Sequence, residues 1–187
     1  MGFSVKMKVS LLYTPSTVGG SMAKSDSFFI RATVLTDTTN FNQTSIDLGS
    51  FVDALGKTVL RIHNASISYG SPLDVPFSGV ATSGITAFQL TTQSQTGLVG
   101  ADNRSTISSG SLYAASGGTP NATTTLSEVL DIAPQQWTGG YLVAVESIFL
   151  GVDQVALDIV DQVTIVLECT VETMTAAASM ALALSQQ

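Results

Sequence analysis

Residues 162–174 read QVTIVLECTVETM, with Val163, Ile165, Leu167, Cys169 and Val171 on one parity against Thr164, Glu168, Thr170 and Glu172 on the other. Successive side chains of a strand point to opposite faces, so this pattern predicts a strand with one buried face. At about 3.3 Å per residue it would run roughly 40 Å. The residues that follow, 175–184 (TAAASMALAL), drop the alternation for strong helix formers. Met180 and Leu184 stand four apart, an apolar pair on one helix face. A helix this short is marginal in water and is ordered only when packed. Small residues permit close approach, and Met180, Leu182 and Leu184 offer adaptable apolar contacts. Two surfaces could supply the packing. One is the chain's own body; the other is a neighbouring subunit or an internal membrane surface, for which these three residues are the candidate assembly contacts.

Working back along the chain, residues 141–150 (YLVAVESIFL) are apolar on both parities apart from Glu146 and Ser147, which predicts a strand covered on both faces. A further strand is expected over 152–159, after Gly151. In residues 57–69 (KTVLRIHNASISY) the apolar phase slips, with Leu60 and Ile62 on one parity and Ala65, Ile67 and Tyr69 on the other. A one-residue slip predicts a bulge or bend near His63-Asn64. Strands are also expected over 3–11, 27–36 and 85–90, and Ser50 should cap a short helical turn that Gly56 stops. Residues 125–132 fit a helical turn or a short strand. Residues 94–125 are mostly Ser, Thr, Gly and Asn, and predict long exposed loops with at most one short strand. Such loops are usually functional or contact-forming. About eight strands and one terminal helix predict an all-β fold. It is a single antiparallel β-sandwich of jelly-roll or Greek-key type over 1–187, with 175–187 as a helical tail. An immunoglobulin-like sandwich is the alternative.

Composition narrows the function classes. The 187 residues suit one domain, and 44% hydrophobic content with 11% charged argues against disorder. Serine and threonine, 23 of each, make up about a quarter of the chain. Seven basic residues against 14 acidic ones argue against direct sequence-specific nucleic-acid binding. All seven basic residues lie at or before Arg104, and the eight acidic residues beyond it have no basic companion. That asymmetry fits an acidic solvent face, or complementary surfaces for head-to-tail packing of copies. A single cysteine, Cys169, rules out an intramolecular disulfide. The N-terminus has no continuous apolar h-region, and Lys6 stands where a myristoylation signal has Ser or Thr, so synthesis in the cytoplasm is expected. The best membrane-spanning candidate, 163–184, contains Glu168 and Glu172.

The chemistry is sparse. His63 is the only histidine, and no G-x-S-x-G elbow accompanies it, so a hydrogen-bonded structural role is expected and no enzyme. One histidine and one cysteine cannot build a four-ligand zinc site. Asp153, Asp158 and Asp161 could offer oxygen ligands to calcium, although acidic residues bounding strands are usually solvated. No phosphate-cradling glycine motif occurs, and no cofactor is implied. Trp137, beside Gly139-Gly140, reads as a loop anchor ahead of a sugar platform. Four of five asparagines, Asn42, Asn64, Asn103 and Asn121, open an N-x-[ST] triplet. Glycan acceptors are one reading, and chance in Thr-rich loops is favoured.

The stretches SVKMKVSLL, IDLGSFVDALGKTVLRIHNASISYG, GGYLVAVESIFLGV and QVTIVLECTVETM, in a cysteine-poor and Ser/Thr-rich frame, resemble the single jelly-roll capsid proteins of tailless icosahedral viruses. Among those, the first group to compare is the small major capsid proteins of membrane-containing double-stranded DNA viruses of prokaryotes, the sphaerolipovirus-like group. The resemblance is one of architecture and composition. It implies a structural protein of the virion, a coat subunit made in the host cytoplasm that self-assembles into a shell. The partners implied are copies of itself, with room for other coat proteins and an internal membrane surface. Two other classes fit the same residues: a secreted surface-layer, filament or pilus subunit using the sequons, and a lectin-like sandwich using Trp137 and the long loops.

Overall fold

The computed structural model describes residues 25–37, 40–53, 57–71, 83–116, 124–130, 136–155 and 160–187. The expectations for 3–11, for the stop at Gly56, for Asn121 and for Asp158 lie outside these residues. Nine strands and one helix follow in order: β1 (Phe28–Leu35), β2 (Asn42–Asp47), β3 (Thr58–Tyr69), β4 (Ser83–Thr91), β5 (Thr106–Ser116), β6 (Thr124–Leu130), β7 (Gln136–Val143), β8 (Ser147–Val155), β9 (Gln162–Thr173) and α1 (Ala176–Ser185).

The strands form a four-stranded sheet, β1-β9-β3-β7, and a five-stranded sheet, β2-β8-β4-β5-β6. Their pairing is nested. β1 pairs with β9, β2 with β8, β3 with β7 and β4 with β5, all antiparallel. The pairs alternate between the two sheets as they close on the β4–β5 hairpin, and β3–β9 and β4–β8 pairings knit them together. A chain folded as one long hairpin and wrapped in this way is a jelly roll, here with β6 as an added edge strand. The sandwich and the short C-terminal helix agree with the sequence reading.

The alternating strand 162–174 is central to the first sheet. Val163, Ile165, Leu167 and Cys169 are fully buried and face Phe88, Leu90, Ile148, Leu150 and Val152 of the opposing sheet. Each such side chain contributes about 1.5–3 kcal/mol on burial. The slip in 57–69 is a register shift between Ile62 and Asn64 against both neighbouring strands. It lets Leu60 and Ile62 face inward before the bulge and Ala65 after it.

The polar run 42–47, which carries no strand signal of its own, is a strand, because β8 supplies its backbone partners along the whole length. Three local expectations fail. Residues 94–125 hold an eleven-residue strand, β5, and the start of β6. Ser108, Ser109 and Ser111 are buried there, all three paired with β4 and Ser111 with β6 as well. Residues 141–150 are not one strand: the chain turns at 144–146, where Leu48 N–H donates to the Glu146 carbonyl at 2.8 Å, and re-enters as β8. β8 then runs straight through Gly151, where a Cβ would meet the Phe41 ring at 2.5 Å. The helical turn begins at Leu48, whose carbonyl accepts from Phe51 and Val52, ahead of the expected Ser50.

Candidate assembly surfaces

Two of the described turns at one end of the sandwich are clamped by side-chain amides standing in for backbone. Gln89, fully buried on the outward side of β4, donates from Nε2 to the Gly97 carbonyl at 3.1 Å and accepts at Oε1 from Val99 N–H at 2.7 Å. Gln43 of β2 accepts at Oε1 from Ser94 Oγ at 2.9 Å and from Gln95 N–H at 3.2 Å. Together they press the loop 92–105 onto the outer face of the five-stranded sheet. Asn103 Oδ1 closes the loop's far end by accepting from Ser105 N–H and Oγ. A side-chain amide has one donor side and one acceptor, so a single Gln satisfies both groups of a peptide pair that no strand reaches.

Gln186 repeats the device at the end of α1. Its Nε2 donates to the Leu142 carbonyl at 2.6 Å and its Oε1 accepts from Ala144 N–H at 2.9 Å. Its own carbonyl accepts from Thr92 Oγ1 at 2.8 Å. Burial raises the Tyr141 phenol pKa, opposed by a hydrogen bond with Gln186. Thr175 caps the helix start, its Oγ1 accepting from Ala178 N–H. α1 therefore lies against the outer face of the four-stranded sheet, where Val59, Ala144 and Ala183 form a small second core with Leu142, Met174 and Leu182.

The helix turns two small residues inward. Ser179 and Ala183 are buried, and the Ser179 hydroxyl has no hydrogen-bond partner. Met180 (47% exposed) and Leu184 (65%) share the outward face. Of the three candidate assembly contacts, the structure brings Met180 and Leu184 together and turns Leu182 into the chain's own body. The own-sandwich packing foreseen for the tail is thus present, with an apolar pair left facing out.

The remaining sequence candidates have structural duties. His63, at the bulge, pairs its Nε2 with Thr170 Oγ1 at 2.9 Å. Beside it, Arg61 makes two 2.7 Å bonds to the Glu172 carboxylate and a third to the Gly139 carbonyl, and the Glu172 contact raises the Arg61 pKa. Gly140, at φ +70°, gives Arg61 its room, since a Cβ there would sit 2.5 Å from the Arg61 Cγ. Cys169 lies in the core, and burial, aided by the Glu168 charge, pushes its thiol up to about 12. Trp137 packs half-buried against the core, 6.0 Å from the Tyr141 ring. Asn42 Nδ2 donates to the Leu35 carbonyl, Asn64 is half-buried at the bulge, and Asn103 is spent in its turn. Asp153 Oδ1 accepts from Gln154 N–H, and no cluster of metal-ligating side chains occurs among the described residues. Among those residues, no helix is long and apolar enough to cross a membrane.

No family model and no curated protein matches the chain. Among solved structures, a chain from Desmodium yellow mottle tymovirus is similar over 90% of this chain and 96% of that chain, at 16% identity and a TM-score of 0.37.

No sequence signal marks the glutamine clamps, since each acts on residues outside its own element. It likewise missed the exposed apolar positions on the sheets. Phe29 and Leu35 project from β1, and Ile85, Tyr113 and Val155 from the other sheet. Alternation marks them only after the inward parity of each strand is known.

Proposed function

We propose that this chain is a viral coat subunit that assembles with copies of itself into a shell and acts in the virion, with no catalytic role. The observation that carries the reading is the nested jelly-roll pairing. It yields a block whose loop 92–105 and turn after β7 are clamped by Gln43, Gln89 and Gln186, while exposed apolar side chains remain on both sheets and on α1. A rigid block with apolar residues on several faces suits repeated packing, because little ordering entropy is lost at each contact. Synthesis in a host cytoplasm, and the presence of other coat proteins or an internal membrane beside it, belong to the same proposal. A lectin-like role, which this architecture also hosts, is disfavoured by Trp137, which packs inward.

The test is the size of the purified full chain in light scattering and its appearance in negative-stain electron microscopy. Regular closed particles or extended arrays are expected. A protein that stays monomeric at every concentration would overturn the reading. For the helix, removal of 175–187 would strip Leu142 and Ala144 of their Gln186 bonds, so Met180→Ser with Leu184→Ser is the cleaner variant. If the outward pair is an assembly contact, that variant keeps its melting temperature and loses large particles.

A further inference from the structure

The coverings of the two sheets gather at the same end of the sandwich. α1 lies over the start of β3 and the end of β7, and the loop 92–105 lies over the end of β4. Toward the other end, apolar side chains on both outer faces are exposed. On the five-stranded sheet, Ile85 is the register partner of both Val155 and Tyr113. These three are 37%, 59% and 42% exposed, so they form one apolar row across three adjacent strands. Neighbouring strands lie about 4.8 Å apart, which makes the row roughly 10 Å wide. Asp153 stands two residues from Val155 on the same face, and the strands of this sheet contain no Lys or Arg.

The open part of the other sheet is its chemical counterpart. On β1, Phe29 and Leu35 are 56% and 64% exposed. The Arg31 guanidinium lies 5.7 Å from the Phe29 ring centroid, and Arg31 forms no ion pair among the described residues. Glu168 stands across from Phe29, while Arg31 itself faces Val166. The only other strand cation of this sheet, Arg61, is taken up by Glu172. Arg31 and Asp153 belong to the outer faces of opposite sheets, so they cannot meet within one molecule.

Resting on the coat-subunit reading, we propose that the β1 strip of one copy docks on the Val155–Ile85–Tyr113 row of a second copy, with Arg31 meeting the partner copy's acidic Asp153. Each copy carries both halves of the joint, so the contact is head-to-tail. Such a contact propagates from copy to copy and closes into a ring or shell when the rotation allows. The charges select the register and the apolar rows supply burial. A patch this small makes a weak joint by itself, and the assembly holds through its repetition.

The test uses the full chain in sedimentation velocity, with Arg31→Asp, Asp153→Arg and the double variant. Both changed positions lie on outward faces, and unchanged melting certifies the fold. Each single reversal places like charges together and should weaken association by about tenfold or more. The double variant should restore it to within about threefold of the parent, by the logic of a double-mutant cycle. Ile85→Ser should weaken association without lowering the melting temperature. If the single reversals assemble like the parent, or if the double variant fails to rescue them, the joint is wrong while the coat-subunit reading stands. If the parent never associates, that reading fails and takes the joint with it.

Discussion

Replacing Gln89 by leucine isolates what the amide clamp contributes. Leucine keeps an apolar side chain of similar reach in a fully buried position, so the change removes two hydrogen bonds and little packing. At about 1 kcal/mol net per bond, the loss is about 2 kcal/mol. Gly97 and Val99 are only half-buried, so water can reach the freed groups and the larger cost of dry unpaired groups is avoided. The effect should therefore appear as local opening of 92–105. Hydrogen exchange followed by NMR would read it directly: Val99 N–H should exchange about 30-fold faster, since each 1.4 kcal/mol is tenfold. If the loop opens only together with the whole domain, the same loss appears as a fall of about 4–8 °C in melting temperature. Val99 exchange unchanged within twofold, with melting also unchanged, would refute the clamp as the force that holds the loop.

Ile165→Asp should abolish soluble folding, because an uncompensated buried charge costs several kcal/mol against a total of about 5–15; soluble expression with a β-type far-UV spectrum would contradict the assigned core. Ser179→Ala removes a buried hydroxyl without a partner and adds a better helix former, so melting in a calorimeter should rise, by about 1 kcal/mol of stability, where a structural hydroxyl would give a fall. Cys169 should be unreactive to a thiol reagent in the native protein and react once it unfolds. Its folded pKa is raised, so the folded state retains a proton that the unfolded state loses. The resulting stability is intact below the ordinary thiol value and falls as pH climbs from there toward about 12; Cys169→Ala should flatten that alkaline decline in a denaturant series.

How much of this was written in the sequence depends on whether the deciding property is local. The strict alternation of 162–174, the phase slip at His63-Asn64 and the change of period after Met174 are properties of contiguous residues. They determined β9, the β3 bulge and α1, and with them the sandwich. β2 and β5 were not legible in this way. Ser108, Ser109 and Ser111 look like loop residues until β4 pairs with their backbone, and β6 with that of Ser111. The turn inside YLVAVESIFL was missed for the complementary reason: only Glu146 and Ser147 interrupt its apolar residues, and the break is set by the chain crossing from one sheet to the other.

The candidate surfaces were decided almost wholly by tertiary structure. Sequence singled out Met180, Leu182 and Leu184 together, and only the docking of α1 on Val59 and Ala144 separates Leu182 from the other two. The row Val155–Ile85–Tyr113 joins three strands distant in sequence, and the Thr33–Thr164 hydroxyl pair joins residues 131 apart. Hydrophobic period is carried by each strand alone, so a single sequence determines it. Which strands become neighbours, and which outward side chains a helix or loop then covers, depends on groups that meet only when the long hairpin wraps.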